Sequence, residues 1–79
     1  MNADIESKVI AIMQGILGRS FGAKDLETPR SEIPEWNSLV HVEVIFLCED
    51  QFEIEFLLDE LPTLNTINAL VASISGKLG

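Results

Sequence analysis

The chain has 79 residues, of which 47% are hydrophobic, and its 13 acidic and 5 basic side chains give a formal net charge of −8. The length predicts a single domain over residues 1–79 with a core of modest size. The excess of acid argues against nucleic acids and anionic membranes as partners, and it favours either a cationic protein partner or simple solubility. The single cysteine excludes an intrachain disulfide and a cysteine-based metal cluster.

The first predicted element is an amphipathic helix over residues 3–17. Its apolar positions follow the i, i+4, i+7, i+11 spacing of one helical face and are Ile5, Val9, Ile12 and Ile16. Gly18 follows the last of them and is expected to end the helix. The N-terminus is acidic, whereas a signal peptide begins basic, and no apolar run is long enough to span a bilayer. We therefore expect a soluble, cytoplasmic monomer.

Residues 18–36 show no sustained periodicity and are predicted to form a long loop. The residues typical of a loop are Gly18, Gly22, Pro29 and Pro34. Three apolar residues within this segment are expected to attach it to the core: Phe21, Leu26 and Ile33. An irregular segment of this length is uncommon in a small domain and is often functional.

The second helix is the most apolar element and is predicted to begin with Asn37 or Ser38 as its cap. One arc of its helical wheel carries Val42, Ile45, Cys48 and Phe52. An adjoining arc carries Leu39 and Phe46, and the polar side is defined by Glu43 and Asp50. Apolar residues around most of the circumference indicate a central helix or one with a stripe that faces a partner.

Residues 51–56 alternate between polar and apolar, but no second strand is available for pairing, so they are predicted to be a connection. A short helical turn over residues 56–61 is expected to stop at Pro62. Asn65 or Thr66 is expected to cap the last helix, whose apolar stripe is Ile67, Leu70, Val71, Ile74 and Leu78. The predicted fold is an all-α, four-helix bundle with three main amphipathic helices and one short helix.

The charge is distributed unevenly along the chain. Residues 31–76 contain nine acidic side chains and no lysine or arginine. The second helix and the elements after it therefore present a surface of one sign, which favours electrostatic steering of basic partners over a role in solubility alone.

Several single residues have simple structural interpretations. Cys48 lies among apolar residues and is predicted to be a core thiol. His41 is expected at the surface or at its rim, and Trp36 is expected to cover the junction between the loop and the second helix. The acids between Asp50 and Asp59 lack the alternating ligands and the central glycine of a calcium loop.

Ser38 has three possible roles on the residues alone. It can cap the second helix, or it can present its hydroxyl to an enzyme. It can also act as a nucleophile with His41 three residues later, but Glu43 points away from His41 and the chain is too small to offer much of a cleft. We therefore do not expect this chain to be an enzyme.

The segment Trp36-Asn37-Ser38-Leu39, which opens an acidic second helix and is followed by Phe52 and a short third helix, resembles the acyl carrier proteins. The resemblance covers essentially the whole chain in length, helix order, long first loop and acidic second half. It implies that Ser38 carries 4′-phosphopantetheine, attached by a transferase that uses coenzyme A and magnesium. The thiol of that arm would hold an acyl or aminoacyl group as a thioester for lipid or related metabolism.

The resemblance also implies a set of partner-binding residues along the second helix. These are Asn37, Leu39, Val40, Glu43, Phe46, Glu49 and Asp50. The implied partners are a phosphopantetheinyl transferase, a ligase that loads the cargo, and acyl-accepting enzymes with basic docking surfaces. Asn37 stands where the family has an aspartate, and Val40 where many members have a second acid. Both departures favour a specialised pathway as much as housekeeping fatty-acid biosynthesis.

The main alternative is a protein-interaction module without a prosthetic group. In that interpretation the acidic bundle uses exposed apolar side chains at Leu39, Val40 and Phe46 for docking. The two hypotheses differ in one chemical respect, which is whether Ser38 is modified.

Overall fold

The structure, a computed structural model, describes residues 2–79 and the side chains from residue 4 onward. It contains three α-helices, α1 (Asn2–Leu17), α2 (Ser38–Phe52) and α3 (Ile67–Leu78). Three 3₁₀ helices lie between them, η1 (Ala23–Glu27), η2 (Arg30–Glu32) and η3 (Leu58–Thr63). The described residues form no strand, so the predicted small all-α bundle is confirmed.

The helix α1 extends over nearly the predicted residues and packs against both α2 and α3. Its buried side chains are Ile5, Val9 and Met13, whereas Ile12 and Ile16 are only half-buried. The buried face is therefore rotated slightly from the one that the spacing predicted. Gly18 ends the helix as expected, with a φ of 69° and an N–H that donates to the carbonyl of Gln14 at 2.9 Å.

The loop before α2 is attached to the core by apolar side chains, as predicted. Phe21 and Ile33 are buried, and Leu26 is half-buried. The short helices η1 and η2 within this loop were not predicted, because segments of three to five residues carry no readable apolar period. The N–H of Arg30 donates to the carbonyl of Asn65 at 2.7 Å, which joins the loop to the approach of α3.

The helix α3 begins where the sequence predicted. The hydroxyl of Thr66 accepts a hydrogen bond from the N–H of Ala69 at 3.0 Å and so caps the helix. Its buried side chains are Ile67, Leu70, Val71 and Ile74. Leu78, which was predicted on the same stripe, is half exposed because it lies in the final turn.

The connection between α2 and α3 differs from the prediction in its bounds. The helix α2 continues through Gln51 and Phe52, which were predicted to belong to the connection, and the chain leaves it through Glu53, whose φ of 56° is left-handed. Ile54 and Glu55 form no regular structure, as predicted, and the short helix begins at Leu58 instead of residue 56. The short helix η3 continues through Pro62 instead of stopping there. The fixed φ of proline suits a 3₁₀ helix, and its missing N–H costs only one bond. Among the described residues, no helix has the length and apolar character to cross a membrane.

Candidate functional site

Ser38 is the first residue of α2, and its side chain is exposed. The helix is capped by its neighbour, since the side-chain oxygen of Asn37 accepts a hydrogen bond from the N–H of Val40 at 3.0 Å. The Ser38 hydroxyl makes no hydrogen bond to any described residue. The interpretation of Ser38 as a helix cap is therefore wrong, and its hydroxyl is available to an external group.

The backbone around Ser38 is also open to an anion. The first intrahelical bond of α2 runs from the N–H of His41 to the carbonyl of Asn37, at 2.8 Å. The N–H groups of Ser38 and Leu39 precede this bond and have no carbonyl acceptor among the described residues. Free N–H groups and the positive end of the helix dipole favour a negative charge at this point.

Four of the predicted partner-binding residues form one exposed stripe along α2, which we call the α2 stripe. They are Leu39, Glu43, Phe46 and Asp50. Their i, i+4, i+7, i+11 spacing places them on one helical face. Leu39 is 75% exposed and Phe46 66% exposed, so two large apolar side chains alternate with two carboxylates. Ser38 lies at the N-terminal end of this stripe.

The other predicted partner-binding residues have structural contacts of their own. Asn37 caps the helix, as described above. Val40 is half-buried, because the first turn of α2 packs against the core at this position. The expectation that Val40 is exposed for docking is therefore wrong. The carboxylate of Glu49 accepts a hydrogen bond from the N–H of Phe56 at 2.9 Å, which holds the chain after α2 against the helix.

His41 is buried, and its predicted place at the surface or rim is wrong. Its ring lies 3.0 Å from the indole nitrogen of Trp36, which donates to His41 Nδ1. The other ring nitrogen, Nε2, lies 3.1 Å from the carbonyl oxygen of Leu61. Burial lowers the pKa of His41 below its usual value, while the Leu61 carbonyl acts in the opposite direction and the charge of Arg30 lowers the pKa further.

Trp36 covers the junction between the loop and α2, as predicted, and only 1% of it is exposed. The partnership between Trp36 and His41 was missed in the sequence. A spacing of five residues across a helix start does not by itself bring two rings together, since the chain changes direction at the cap. The polar ends of both rings are satisfied, so their burial does not leave an unpaired hydrogen-bonding group.

A mostly apolar pocket of about 310 Å³ lies between α2 and the segment that contains η3. Its walls on α2 include His41 and Val42, which follow Ser38 at i+3 and i+4 and so lie on the same side of the helix. On the opposite side, Phe56, Leu58 and Leu61 contribute apolar surface. Val42 is 47% exposed at this pocket.

Two further features of the sequence are the lone thiol and the many acidic side chains. Cys48 is buried, as predicted, and burial together with the nearby Glu49 charge raises the pKa of its thiol to about 12. Among the side chains from residue 4 onward, no cluster of three or more His, Cys, Asp or Glu residues has the arrangement to hold a metal ion.

Two acidic side chains of residues 31–76, the segment without lysine or arginine, form ion pairs with basic side chains outside that segment. Glu35 pairs with Arg19 at 3.3 Å, and Glu60 pairs with Lys77 at 2.9 Å. Within the described part of the chain, Glu43 and Asp50 of the α2 stripe take part in no ion pair. Both carboxylates of the α2 stripe are therefore available to a cationic group from outside the chain.

No protein-family model matches the chain, and no curated protein matches it. The resemblance to the acyl carrier proteins therefore rests on the Trp36-Asn37-Ser38-Leu39 segment, the helix order and the acidic second half.

Proposed function

We propose that the chain is a carrier protein that holds an acyl or aminoacyl group as a thioester on a 4′-phosphopantetheine arm attached to Ser38. One observation carries the proposal. The Ser38 hydroxyl is exposed and has no hydrogen-bond partner in the described part of the chain, because Asn37 already caps α2. A serine that is not needed by its own helix is a suitable acceptor for an external transferase.

The residues at the start of α2 suit the phosphodiester of this arm. The unpaired N–H groups of Ser38 and Leu39 and the positive end of the helix dipole are complementary to its negative charge. The arm supplies a terminal thiol, on which the cargo is held as a thioester. The chain itself needs no catalytic base for attachment, because a separate magnesium-dependent transferase takes the Ser38 proton. The Ser38 oxygen forms a bond to the phosphorus of the 4′-phosphopantetheine group of coenzyme A, the pyrophosphate bond of coenzyme A breaks, and adenosine 3′,5′-bisphosphate leaves.

The apolar pocket beside α2 supports the same proposal. Its position on the side of the helix that carries Ser38, His41 and Val42 puts it within reach of a group anchored at Ser38. The aromatic and leucine side chains of its walls favour an aliphatic or otherwise apolar cargo over a charged one. Shielding such a cargo from water would also protect the thioester from hydrolysis.

The α2 stripe supports docking to basic enzymes. Glu43 and Asp50 are free to pair with lysine or arginine, while Leu39 and Phe46 offer apolar contact beside them. Charge complementarity accelerates the encounter, and the apolar side chains contribute affinity once water is excluded. The proposed partners are a phosphopantetheinyl transferase, a loading ligase and acyl-accepting enzymes. The neutral Asn37 and Val40 are compatible with a specialised pathway as much as with housekeeping fatty-acid biosynthesis.

The test is the intact mass of the protein after incubation with a broad-specificity phosphopantetheinyl transferase, coenzyme A and magnesium. We expect a gain of one phosphopantetheine in the wild type and in Ser31→Ala, which removes another exposed serine of the neighbouring loop. Ser38→Ala should gain nothing. Failure of the wild type with several transferases, or modification of Ser38→Ala, would contradict the proposal.

The second candidate is an interaction module without a prosthetic group. The observation in its favour is the large apolar side chains that lie exposed near α2 and η3, with Leu58 86% exposed as the extreme. Such side chains, surrounded by acids, are typical of a surface that binds a basic protein segment. In this case the mass experiment gives no added group, and Phe46→Ser abolishes partner binding while the unmodified wild type retains it.

A further inference from the structure

Trp36 and His41 are joined by a buried hydrogen bond between their side chains. The indole N–H of Trp36 donates to Nδ1 of His41 at 3.0 Å, and the two ring centroids are 5.8 Å apart. Trp36 is 1% exposed and His41 is 6% exposed. Water is thus almost excluded from the contact, and loss of this bond would leave a buried donor without an acceptor.

The contact fixes the protonation state of the imidazole. An indole nitrogen is a donor and never an acceptor, so Nδ1 of His41 must be unprotonated. The ring is therefore neutral, and its proton is on Nε2. From there it donates to the carbonyl oxygen of Leu61 at 3.1 Å. Protonation of Nδ1 would bring two N–H groups face to face and break the bond to Trp36, while the bond to Leu61 would persist.

The two bonds join three parts of the fold around the proposed attachment point. Trp36 immediately precedes Asn37, the cap of α2, and lies two residues before Ser38. His41 is in the first turns of the same helix, and Leu61 belongs to η3 across the apolar pocket. The imidazole therefore connects the segment that leads into Ser38 with the wall opposite α2.

We propose that Trp36 and His41 are positioning residues for Ser38. Their hydrogen bond holds the segment before α2 while His41 is neutral, and protonation of His41 releases that segment and makes the presentation of Ser38 sensitive to pH. The part that concerns Ser38 rests on the proposed carrier function. The hydrogen bond and its release are independent of it.

The charges around His41 favour the neutral form. Burial is the largest cause of its lowered pKa, and Arg30 from η2 acts in the same direction through its positive charge. From η3 the nearest contact is the Leu61 carbonyl, which favours the protonated form. Glu49 of α2 lines the same pocket, and its carboxylate is engaged with the N–H of Phe56. The release is therefore expected below the usual histidine range near pH 6.5.

The test uses the fact that the chain contains one tryptophan and one histidine. The ¹⁵N resonances of the His41 ring and of Trp36 Nε1 are followed from pH 8 to pH 4.5 in the full-length protein. We expect the Nε2-protonated tautomer above pH 6.5, and a single midpoint below 6.5 that is shared by His41, by Trp36 Nε1 and by the amides of Asn37 and Ser38. An Nδ1-protonated tautomer, or a titration of His41 that leaves Trp36 unmoved, would overturn the proposal.

The variant Trp36→Phe removes the donor and keeps an aromatic ring. We expect the His41 midpoint to rise by about 0.5 to 1 pH unit, because Nδ1 no longer has to remain an acceptor. An unchanged midpoint in the folded variant would contradict the pairing. The wild-type titration decides the question alone if the variant does not fold.

The link to Ser38 is tested by the ratio of modification rates of the wild type and His41→Phe, since a ratio cancels the pH dependence of the transferase. The ratio should exceed one at pH 7.5 and fall several-fold towards one at pH 5. If the ratio is the same at both pH values and the Ser38 amide resonance does not change with the titration of His41, Trp36 and His41 do not position Ser38. Absence of modification at every pH would refute the carrier function instead, and the NMR titration would still decide the pairing and its release.

Discussion

The side chain of Asn37 accepts a hydrogen bond from the N–H of Val40 at 3.0 Å. Because this bond caps α2, the hydroxyl of the adjacent Ser38 is not needed as a cap. Aspartate and asparagine cap helices about equally well. They differ in charge, and the acyl carrier proteins that this chain resembles have the charged residue at this position. A substitution of Asn37 by another capping residue can therefore change the charge that a partner meets while the helix cap is kept.

The first prediction concerns Asn37→Asp. The substitution keeps the cap and adds a negative charge beside the helix N-terminus, which should raise the free energy of unfolding by about 0.3 to 1 kcal/mol. If the charge also attracts a basic transferase, the initial rate of Ser38 modification should rise. Asn37→Ser is the matched control, because serine caps without charge and should leave the rate unchanged. Equal modification rates for Asn37→Asp and Asn37→Ser would show that a charge at this position does not attract the transferase.

The second prediction separates two acids of α2 that look alike in the sequence. Glu49 binds the N–H of Phe56, whereas Glu43 is exposed on the α2 stripe and forms no ion pair within the described part of the chain. Glu49→Ala should lower the free energy of unfolding by about 1 to 2 kcal/mol, since the backbone N–H loses a charged acceptor. Glu43→Ala should change it by less than about 0.5 kcal/mol. Urea denaturation at pH 7 measures both.

For the rate of association with a partner, we expect Glu43 to matter more than Glu49. Glu43→Ala should reduce the association rate with a basic partner, most strongly at low salt, because its charge is free to steer the encounter. Glu49→Gln keeps a hydrogen-bond acceptor and should change the association rate less. A larger loss for Glu49→Gln than for Glu43→Ala would show that the division between the two acids is wrong.

The three α-helices could be predicted because their signals are local. Thr66 caps α3 and Gly18 ends α1 through bonds within one turn, and the spacing of apolar residues showed which segments are helical. The exact buried face of α1 was less predictable, because Met13 and Ile12 are both apolar and the packing of the other helices selects between them.

The candidate site was predictable only in part, for a physical reason. The position of Ser38 and the α2 stripe follow from helical periodicity. The environments of His41 and Val40 depend on η3 and on the loop, which come from distant parts of the chain. A lone histidine among apolar residues is equally compatible with the core and with its rim until the carbonyl of Leu61 and the indole of Trp36 are in place.

The third prediction concerns thiol reactivity. Cys48 is fully buried and its pKa is raised to about 12, so it should react very slowly with iodoacetamide at pH 8 in the folded protein and quickly in urea. If Ser38 accepts the proposed phosphopantetheine arm, the modified protein should gain one fast-reacting thiol at the end of that arm. Cys48→Ala is the control, and it should keep the fast thiol and lose the slow one. Fast alkylation of Cys48 in the folded, unmodified protein would contradict its burial.

The last prediction concerns Glu60, which joins η3 to α3. Its carboxylate accepts hydrogen bonds from the N–H of Leu57, the hydroxyl of Ser73 and the ammonium group of Lys77, at 2.8, 2.7 and 2.9 Å. The Leu57 bond is the largest cause that lowers the pKa of Glu60 to about 2, followed by the bonds from Lys77 and Ser73. The ionised carboxylate is thus favoured in the folded state.

A carboxyl group with a lowered pKa stabilises the fold fully above its unfolded pKa, near 4.5, and this contribution is lost as the pH falls from there towards 2. Glu60→Gln should therefore lower the free energy of unfolding by about 1 kcal/mol at pH 7 and show a shallower loss between pH 4.5 and pH 2.5. Glu55→Gln removes one charge from the same segment and should retain the wild-type slope, because the Glu55 carboxylate has no hydrogen-bond partner among the described residues. Urea denaturation followed by circular dichroism at several pH values measures these slopes. Parallel pH profiles for the wild type and Glu60→Gln would mean that the three bonds to Glu60 do not couple its ionisation to folding.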